Sequence, residues 1–149
     1  MQREEDSTPK QEAGDSVSLE GIHFLVAEDN EINAEILADL LDMEGAACEI
    51  VENGELAVNR FAKAGAGEFD AILMDVQMPI MNGYEAARGI RALDRADAKS
   101  IPIIAMTANA FAEDVKEALA AGMDAHIAKP IDMDLLKKTV NHYIRGERS

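Results

Sequence analysis

Polar side chains stand where the apolar runs of this chain stop. Phe24-Leu25-Val26-Ala27 runs into Glu28-Asp29, Ile72-Leu73-Met74 into Asp75, Ile103-Ile104-Ala105-Met106 into Thr107, and the run from Ala125 to Ala128 into Lys129. If these ends meet, carboxylates, a hydroxyl and an ammonium share one place. Crowded carboxylates repel, and without a countercharge at least one is driven toward its protonated form. A hard divalent cation relieves the crowding, and oxygen-only ligation suits Mg²⁺, with Mn²⁺ as an alternative. A Lys and a Thr hydroxyl beside such an ion form a set that stabilises charge on a transferring phosphoryl group.

The elements that must position these groups are legible in the pattern. Short apolar runs at Ile22 to Ala27, Ala46 to Val51, Ala71 to Met74, Ile101 to Met106 and Ala125 to Ala128 read as strands buried on both faces, separated by amphipathic stretches. The alternation predicts an α/β fold, a doubly wound five-stranded parallel sheet flanked by five helices. The breaks at Glu28, Asp75, Thr107 and Lys129 all fall at carboxyl ends of strands, which face one crevice at the switch point of an open parallel sheet. Each residue taken singly is also an ordinary turn or cap residue. Independent caps, however, have no reason to gather at the same end of four strands.

The first predicted helix starts at Asn30, repeats Ile32, Ile36, Leu37, Leu40 and Leu41 on one face, and stops at Gly45. Helices near 55–64, 84–94 and 111–120 are shorter, with Gly122 ending the last of them. The fifth is capped by Asp132 and buries Leu135, Leu136, Val140, Tyr143 and Ile144. Arg88, Arg91 and Arg95 read as a solvated helix face, and Met78, Met81, Met106 and Met123 as flexible packing. His23 and His142 carry no ligand pattern.

Composition sets the limits. The 149 residues carry 29 acidic and 14 basic side chains, a net charge of −15, which argues against a partner held mainly by phosphate-backbone contacts, and no nucleic acid is expected. Residues 1 to 20 are polar and aperiodic and read as a disordered tail or interdomain linker. Residues 21 to 146 form the domain, and 147 to 149 a short tail. No apolar leader and no run of eighteen apolar residues occur, so neither a signal peptide nor membrane insertion is expected. The lone Cys48 cannot form an internal disulfide and reads as a buried structural thiol.

Four ordered strings carry a resemblance: Val26-Ala27-Glu28-Asp29-Asn30, Met74-Asp75-Val76-Gln77-Met78-Pro79-Ile80-Met81-Asn82-Gly83, Met106-Thr107-Ala108-Asn109-Ala110, and the stretch from Ala121 through Lys129-Pro130. From about Ile22 to Ile144 the chain resembles a response-regulator receiver domain of flavodoxin-like fold, most similar to receivers of hybrid sensor histidine kinases. The resemblance implies that Asp75 is the phosphoacceptor in a Mg²⁺-dependent two-component phosphorelay. It also implies that Glu28, Asp29, Asp75 and the main-chain carbonyl of Gln77 hold the metal, with Glu28 acting through water. Thr107 and Lys129 would hold the phosphoryl oxygens, and the Lys129-Pro130 bond would be cis. Thr107 and the residue three before the Lys, here His126 in place of the usual Tyr or Phe, would form the switch.

Gln77 and Asn109 occupy the positions flanking the hydrolytic water. Both are neutral amides without general-base capacity, which implies slow self-dephosphorylation. The implied partners are a histidine kinase dimerisation domain or a histidine phosphotransfer protein, with the first helix at the contact. The implied location is the cytoplasm, with tethering to a membrane-bound kinase left open. The linker-like start favours a piece of a larger kinase over a free-standing receiver. A haloacid-dehalogenase-like phosphohydrolase combines similar groups, but needs a second Asp two residues after the nucleophile, where Gln77 stands. A phosphorylation-independent docking module would not need the complete acidic set, Thr107 and Lys129.

Overall fold

Apolar runs without alternation require cover on both faces, which parallel strands receive from crossover helices. The computed structural model describes residues 18–108 and 115–144. Its elements are β1 (His23–Ala27), α1 (Glu31–Met43), β2 (Ala47–Val51), α2 (Gly54–Lys63), β3 (Ala71–Asp75), α3 (Gly83–Arg91), α4 (Ala96–Ser100), β4 (Ile103–Thr107), α5 (Val115–Ala120), β5 (Ala125–Ala128) and α6 (Met133–Ile144). The strands form one parallel sheet in the order β2-β1-β3-β4-β5. The winding reverses between β1 and β3, which places the crevice at their carboxyl ends.

The two-residue period of the strands divides the core into two layers. Leu25, Ala27, Ile72, Met74, Ile103 and Ala105 pack on one side with Ala57, Phe61, Ala86, Ala87 and Ile90 from α2 and α3. Phe24, Val26, Leu73, Ile104, Met106 and Ile127 pack on the other with Leu37 and Leu41 of α1 and Leu136 and Val140 of α6. Asn30, Asn53 and Asn82 each cap a helix through a side-chain oxygen, and Asn82 with Glu85 completes a capping box. Gly45 takes φ +83 and Gly122 φ +99 where the preceding helices end.

Several boundaries and faces differ from the sequence pattern. Among the described residues there are six helices rather than five. The additional α4 is a five-residue segment, too short to show a period. In α1 the pattern combines two stripes. Ala34, Leu37 and Leu41 are buried, while Ile32 and Ile36 are 68% and 53% exposed, because successive turns of about 100° per residue put them on the opposite face. Leu135 and Tyr143 of α6 are likewise exposed.

Strand β2 is at the sheet edge, so Ile50 is exposed and Cys48 only half-buried, with its thiol pushed up by burial and then by Asp42. Leu19, inside the stretch read as a tail, is fully buried, and the Ser18 carbonyl accepts from Asn141 Nδ2 at 3.1 Å. Ordered packing therefore begins before Ile22. The isolated Leu19 carries no periodic signal by which a sequence could announce this.

Candidate active site

The carboxyl ends of β1, β3, β4 and β5 bring Glu28, Asp29, Asp75, Thr107 and Lys129 together. Pairing of Val26 with Leu73 and of Ala27 with Met74 sets the β1 and β3 ends side by side. Glu28, Asp29 and Asp75 each present a carboxylate oxygen, and these three atoms lie within 4.8 Å of one another. Glu28 and Asp75 are buried, at 4% and 6% exposure, and Asp29 is exposed. Their backbones are fixed as well. Glu28 N–H donates to the Val51 carbonyl at 3.0 Å, and Val76 N–H to the Met106 carbonyl at 3.0 Å.

Lys129 enters from the end of β5, where its N–H donates to the Thr107 carbonyl at 2.8 Å and its bond to Pro130 is cis. Its ammonium donates to Glu28 Oε1 at 2.8 Å and to Asp75 Oδ2 at 3.0 Å. Thr107 is buried. The Gln77 N–H donates to Asp75 Oδ1 at 3.3 Å, so the residue whose carbonyl is a candidate ligand is tied to the acceptor carboxylate.

Electrostatics reflect the crowding. Burial first, and then the neighbouring Glu28 charge, push the Asp75 carboxyl up to about 6 against the opposing pull of Lys129. For Lys129, burial pulls downward, but the hydrogen bonds to Glu28 and Asp75 outweigh it and hold the ammonium above its ordinary value. Two buried carboxylates with one ammonium, beside an exposed Asp29, leave net negative charge in a partly dry place. That donor set fits a hard divalent cation, which is bound by oxygen and tolerates water in its remaining positions.

His126 lies three residues before Lys129 with its side chain exposed on β5. Asn109 lies outside the described residues. Beside the acidic cluster an apolar groove runs between α1 and the β5–α6 connection, lined by Ile36, Leu37, Leu40, Pro130 and Ile131. Its α1 wall was hidden by the single-stripe pattern, and separating residues by helical angle would have revealed it.

The arginine row is not a solvated face. Arg91 donates from Nε to the Gly122 carbonyl at 2.9 Å, from Nη1 to the Ala98 carbonyl at 3.1 Å and from Nη2 to Asp124 at 3.0 Å. Arg95 lies beyond α3 and grips Asp97 and the Phe61 carbonyl. Only Arg88 keeps an exposed side chain, half of it open to solvent. Arg91 thus ties α3 to α4 and to the turn before β5, and Arg95 ties the segment after α3 to the end of α2.

Comparison with known proteins agrees with this geometry. Residues 24–141 match the family model of the response regulator receiver domain. The chain is 38% identical over 125 residues to the sensor histidine kinase RcsC of Escherichia coli, covering 84% of this chain and 12% of that kinase. It thus spans a small part of the relatives it matches. Among solved structures, the receiver domain of sensor histidine kinase PA1611 from Pseudomonas aeruginosa, with magnesium coordinated in its active-site cleft, superposes with TM-score 0.75 at 35% identity. That superposition covers 84% of this chain and 98% of the other.

A chain from the co-crystal structure of the Saccharomyces cerevisiae phosphotransfer protein Ypd1 with the receiver of Ssk1 matches with TM-score 0.73 at 28% identity. It covers 90% of this chain and 95% of that one. The sheet order, the acidic cluster under Lys129 and the family match over residues 24–141 assign the chain to the response regulator receiver domain family.

Proposed function

We propose that this domain accepts a phosphoryl group from a phosphohistidine onto Asp75. A carboxylate oxygen of Asp75 forms the new O–P bond, the N–P bond to the donor imidazole breaks, and its electron pair returns to that ring, leaving an acyl phosphate. The observation that carries this reading is the placement of a buried Asp75 carboxylate 3.0 Å from the Lys129 ammonium, within 4.8 Å of the Glu28 and Asp29 oxygens.

In this reading Glu28, Asp29, Asp75 and the Gln77 carbonyl hold Mg²⁺, Glu28 through water, and Mn²⁺ suits the same oxygens. The ion supplies positive charge for the phosphoryl oxygens. Lys129 exchanges part of its contact with Glu28 and Asp75 for a phosphoryl oxygen, and the Thr107 hydroxyl donates to another. Thr107 and His126 then carry the change to the face formed by α5, β5 and α6. The amides of Gln77 and Asn109 give no general base to an attacking water, so the acyl phosphate persists.

The partner is a histidine kinase dimerisation domain or a histidine phosphotransfer protein. Support comes from the exposed Ile32 and Ile36 on α1, continuous with the apolar groove that ends at the acidic site. Such a patch fits the apolar surface of a helical donor, held so that its phosphohistidine reaches Asp75. Among the described residues no helix is long and apolar enough to cross a membrane. The proposal includes a cytoplasmic location, tethered where the domain belongs to a membrane-bound kinase, with residues before Ser18 serving as a linker.

Incubation with acetyl phosphate, with and without Mg²⁺, tests the reading by intact mass, since the chain contains no Trp for a fluorescence readout. One added phosphoryl group, dependent on Mg²⁺ and lost in Asp75→Asn, is expected. Added mass that persists in Asp75→Asn overturns the assignment of the acceptor.

A further inference from the structure

The loop from Val76 to Asn82 joins the acceptor strand to α3 and carries the Gln77 carbonyl. Its first end is clamped. Gly83 N–H donates to the Val76 carbonyl at 2.9 Å, and a Cβ at Gly83 would stand 2.4 Å from the Asp75 carbonyl oxygen. Its far end meets a different element. Gly54, the first residue of α2, donates its N–H to the Met81 carbonyl at 3.0 Å. A Cβ at Gly54 would stand 2.4 Å from that same oxygen and 3.0 Å from the Asn82 oxygen.

The Ala86 Cβ of α3 would also stand 3.0 Å from a Cβ at Gly54, so space, and not backbone conformation, requires glycine at this position. The φ of Gly54 is not in the left-handed region, and alanine is the better helix former. The corner holding it is rigid. Asn53 is buried and its Oδ1 accepts from Leu56 N–H at 2.8 Å, while two residues earlier the Val51 carbonyl receives the Glu28 N–H. The β2–α2 corner therefore touches both acidic segments, Glu28 through its main chain and the Asp75 loop through Met81.

The loop has little slack to absorb a displaced Met81. Met81 N–H is already bonded to the Pro79 carbonyl at 2.6 Å, and Ile80 is held at φ +69. We infer that Gly54 is a positioning residue for the divalent-cation site, setting the reach of the Gln77 carbonyl by letting α2 close against the far end of its loop. This rests on the receiver reading of the acidic cluster.

The experiment compares Mg²⁺ affinity, read from amide chemical shifts of Asp29 and Gln77, in the native chain, Gly54→Ala and Gly89→Ala. Gly89 is a packing control in the same helix pair. A Cβ there would stand 3.2 Å from the Val58 side chain, away from the loop. Gly54→Ala is expected to weaken Mg²⁺ binding about tenfold, as outer partners of a metal site do, while Gly89→Ala stays within about twofold at whatever melting temperature each variant shows. Equal Mg²⁺ affinity in the native chain and Gly54→Ala overturns the inference alone. A native chain whose shifts do not respond to Mg²⁺ overturns the metal reading beneath it.

A measurement on the native chain serves if Gly54→Ala does not fold. Coupling is reciprocal, so saturating Mg²⁺ must slow hydrogen exchange at the Gly54 amide several-fold, while the Ala57 amide, bonded within α2 to the Asn53 carbonyl, stays unchanged. Unchanged exchange at Gly54 in the Mg²⁺-bound protein overturns the inference.

Discussion

The Lys129 ammonium reaches Asp75 Oδ2 at 3.0 Å from a residue 54 positions away in the chain. The same ammonium donates to Glu28 Oε1 at 2.8 Å, so one cation balances two buried carboxylates. Removing it leaves both charges without their partner. Lys129→Met is expected to destabilise the Mg²⁺-free domain by about 3 kcal/mol, the scale for breaking a buried ion pair from one side. Mg²⁺ would then stabilise the variant more than the native chain, because it replaces the missing charge. Thermal melts with and without Mg²⁺ check this, and equal increments in the two proteins would contradict it.

The raised Asp75 carboxyl gives a pH dependence of definite sign. Its folded value of about 6 lies above the 3.8 of an ordinary aspartate, so protonation favours the folded state. Its contribution to stability is fully present below about 3.8 and is lost as pH rises through about 6. Asp75→Asn removes this penalty. Without Mg²⁺ the variant is expected to be more stable than the native chain by about 1 to 3 kcal/mol at pH 8, with the difference shrinking toward pH 4. Denaturant titrations at several pH values read the difference directly, and a gap that widens on acidification would refute it.

Ile36 is 53% exposed on α1 while its neighbour Leu37 is 4% exposed. Substituting the exposed residue separates docking from folding. Ile36→Ser should change stability by less than about 0.5 kcal/mol. Labelling by acetyl phosphate should be unaffected. Transfer from a phosphorylated histidine phosphotransfer domain should fall about tenfold if the apolar patch is an anchor of that contact. Unimpaired transfer would move the docking face elsewhere.

Legibility followed continuity along the chain. The strand runs, and the polar residues that break them, are local features, so the sheet and the convergence of Glu28, Asp75, Thr107 and Lys129 could be read before any coordinates. What needed the structure is set between segments. Arg91 looks like Arg88 in a helical window, yet it is partly buried because the Gly122 carbonyl and Asp124 come to it from the far side of α5. Gly54 looks like any small residue after Asn53 until the Met81 carbonyl is seen against it.

Leu19 is the same kind of case, with a measurable consequence. Among polar neighbours it has no period, but it is fully buried with Ile22, Phe24, Leu41 and Val140. Leu19→Ala should cost about 3 kcal/mol, as for other leucines truncated in a core. A chain beginning at Gly21 should be weakened comparably. Chemical denaturation of both decides the matter, and native-like midpoints would return this segment to the linker.

Ile80 carries strain in the loop beside the acceptor. It is a β-branched residue at φ +69, where its Cβ crowds the backbone, and its side chain is 76% exposed, so packing returns little for that conformation. Asn tolerates the left-handed region better and loses no buried surface here. Ile80→Asn is therefore expected to raise stability by about 1 kcal/mol, read as a higher denaturation midpoint. The backbone path from Asp75 to Gly83 is unchanged by this substitution, so Mg²⁺-dependent labelling of Asp75 should proceed at the native rate. A stability loss would mean that the Ile80 side chain makes contacts that outweigh its backbone strain.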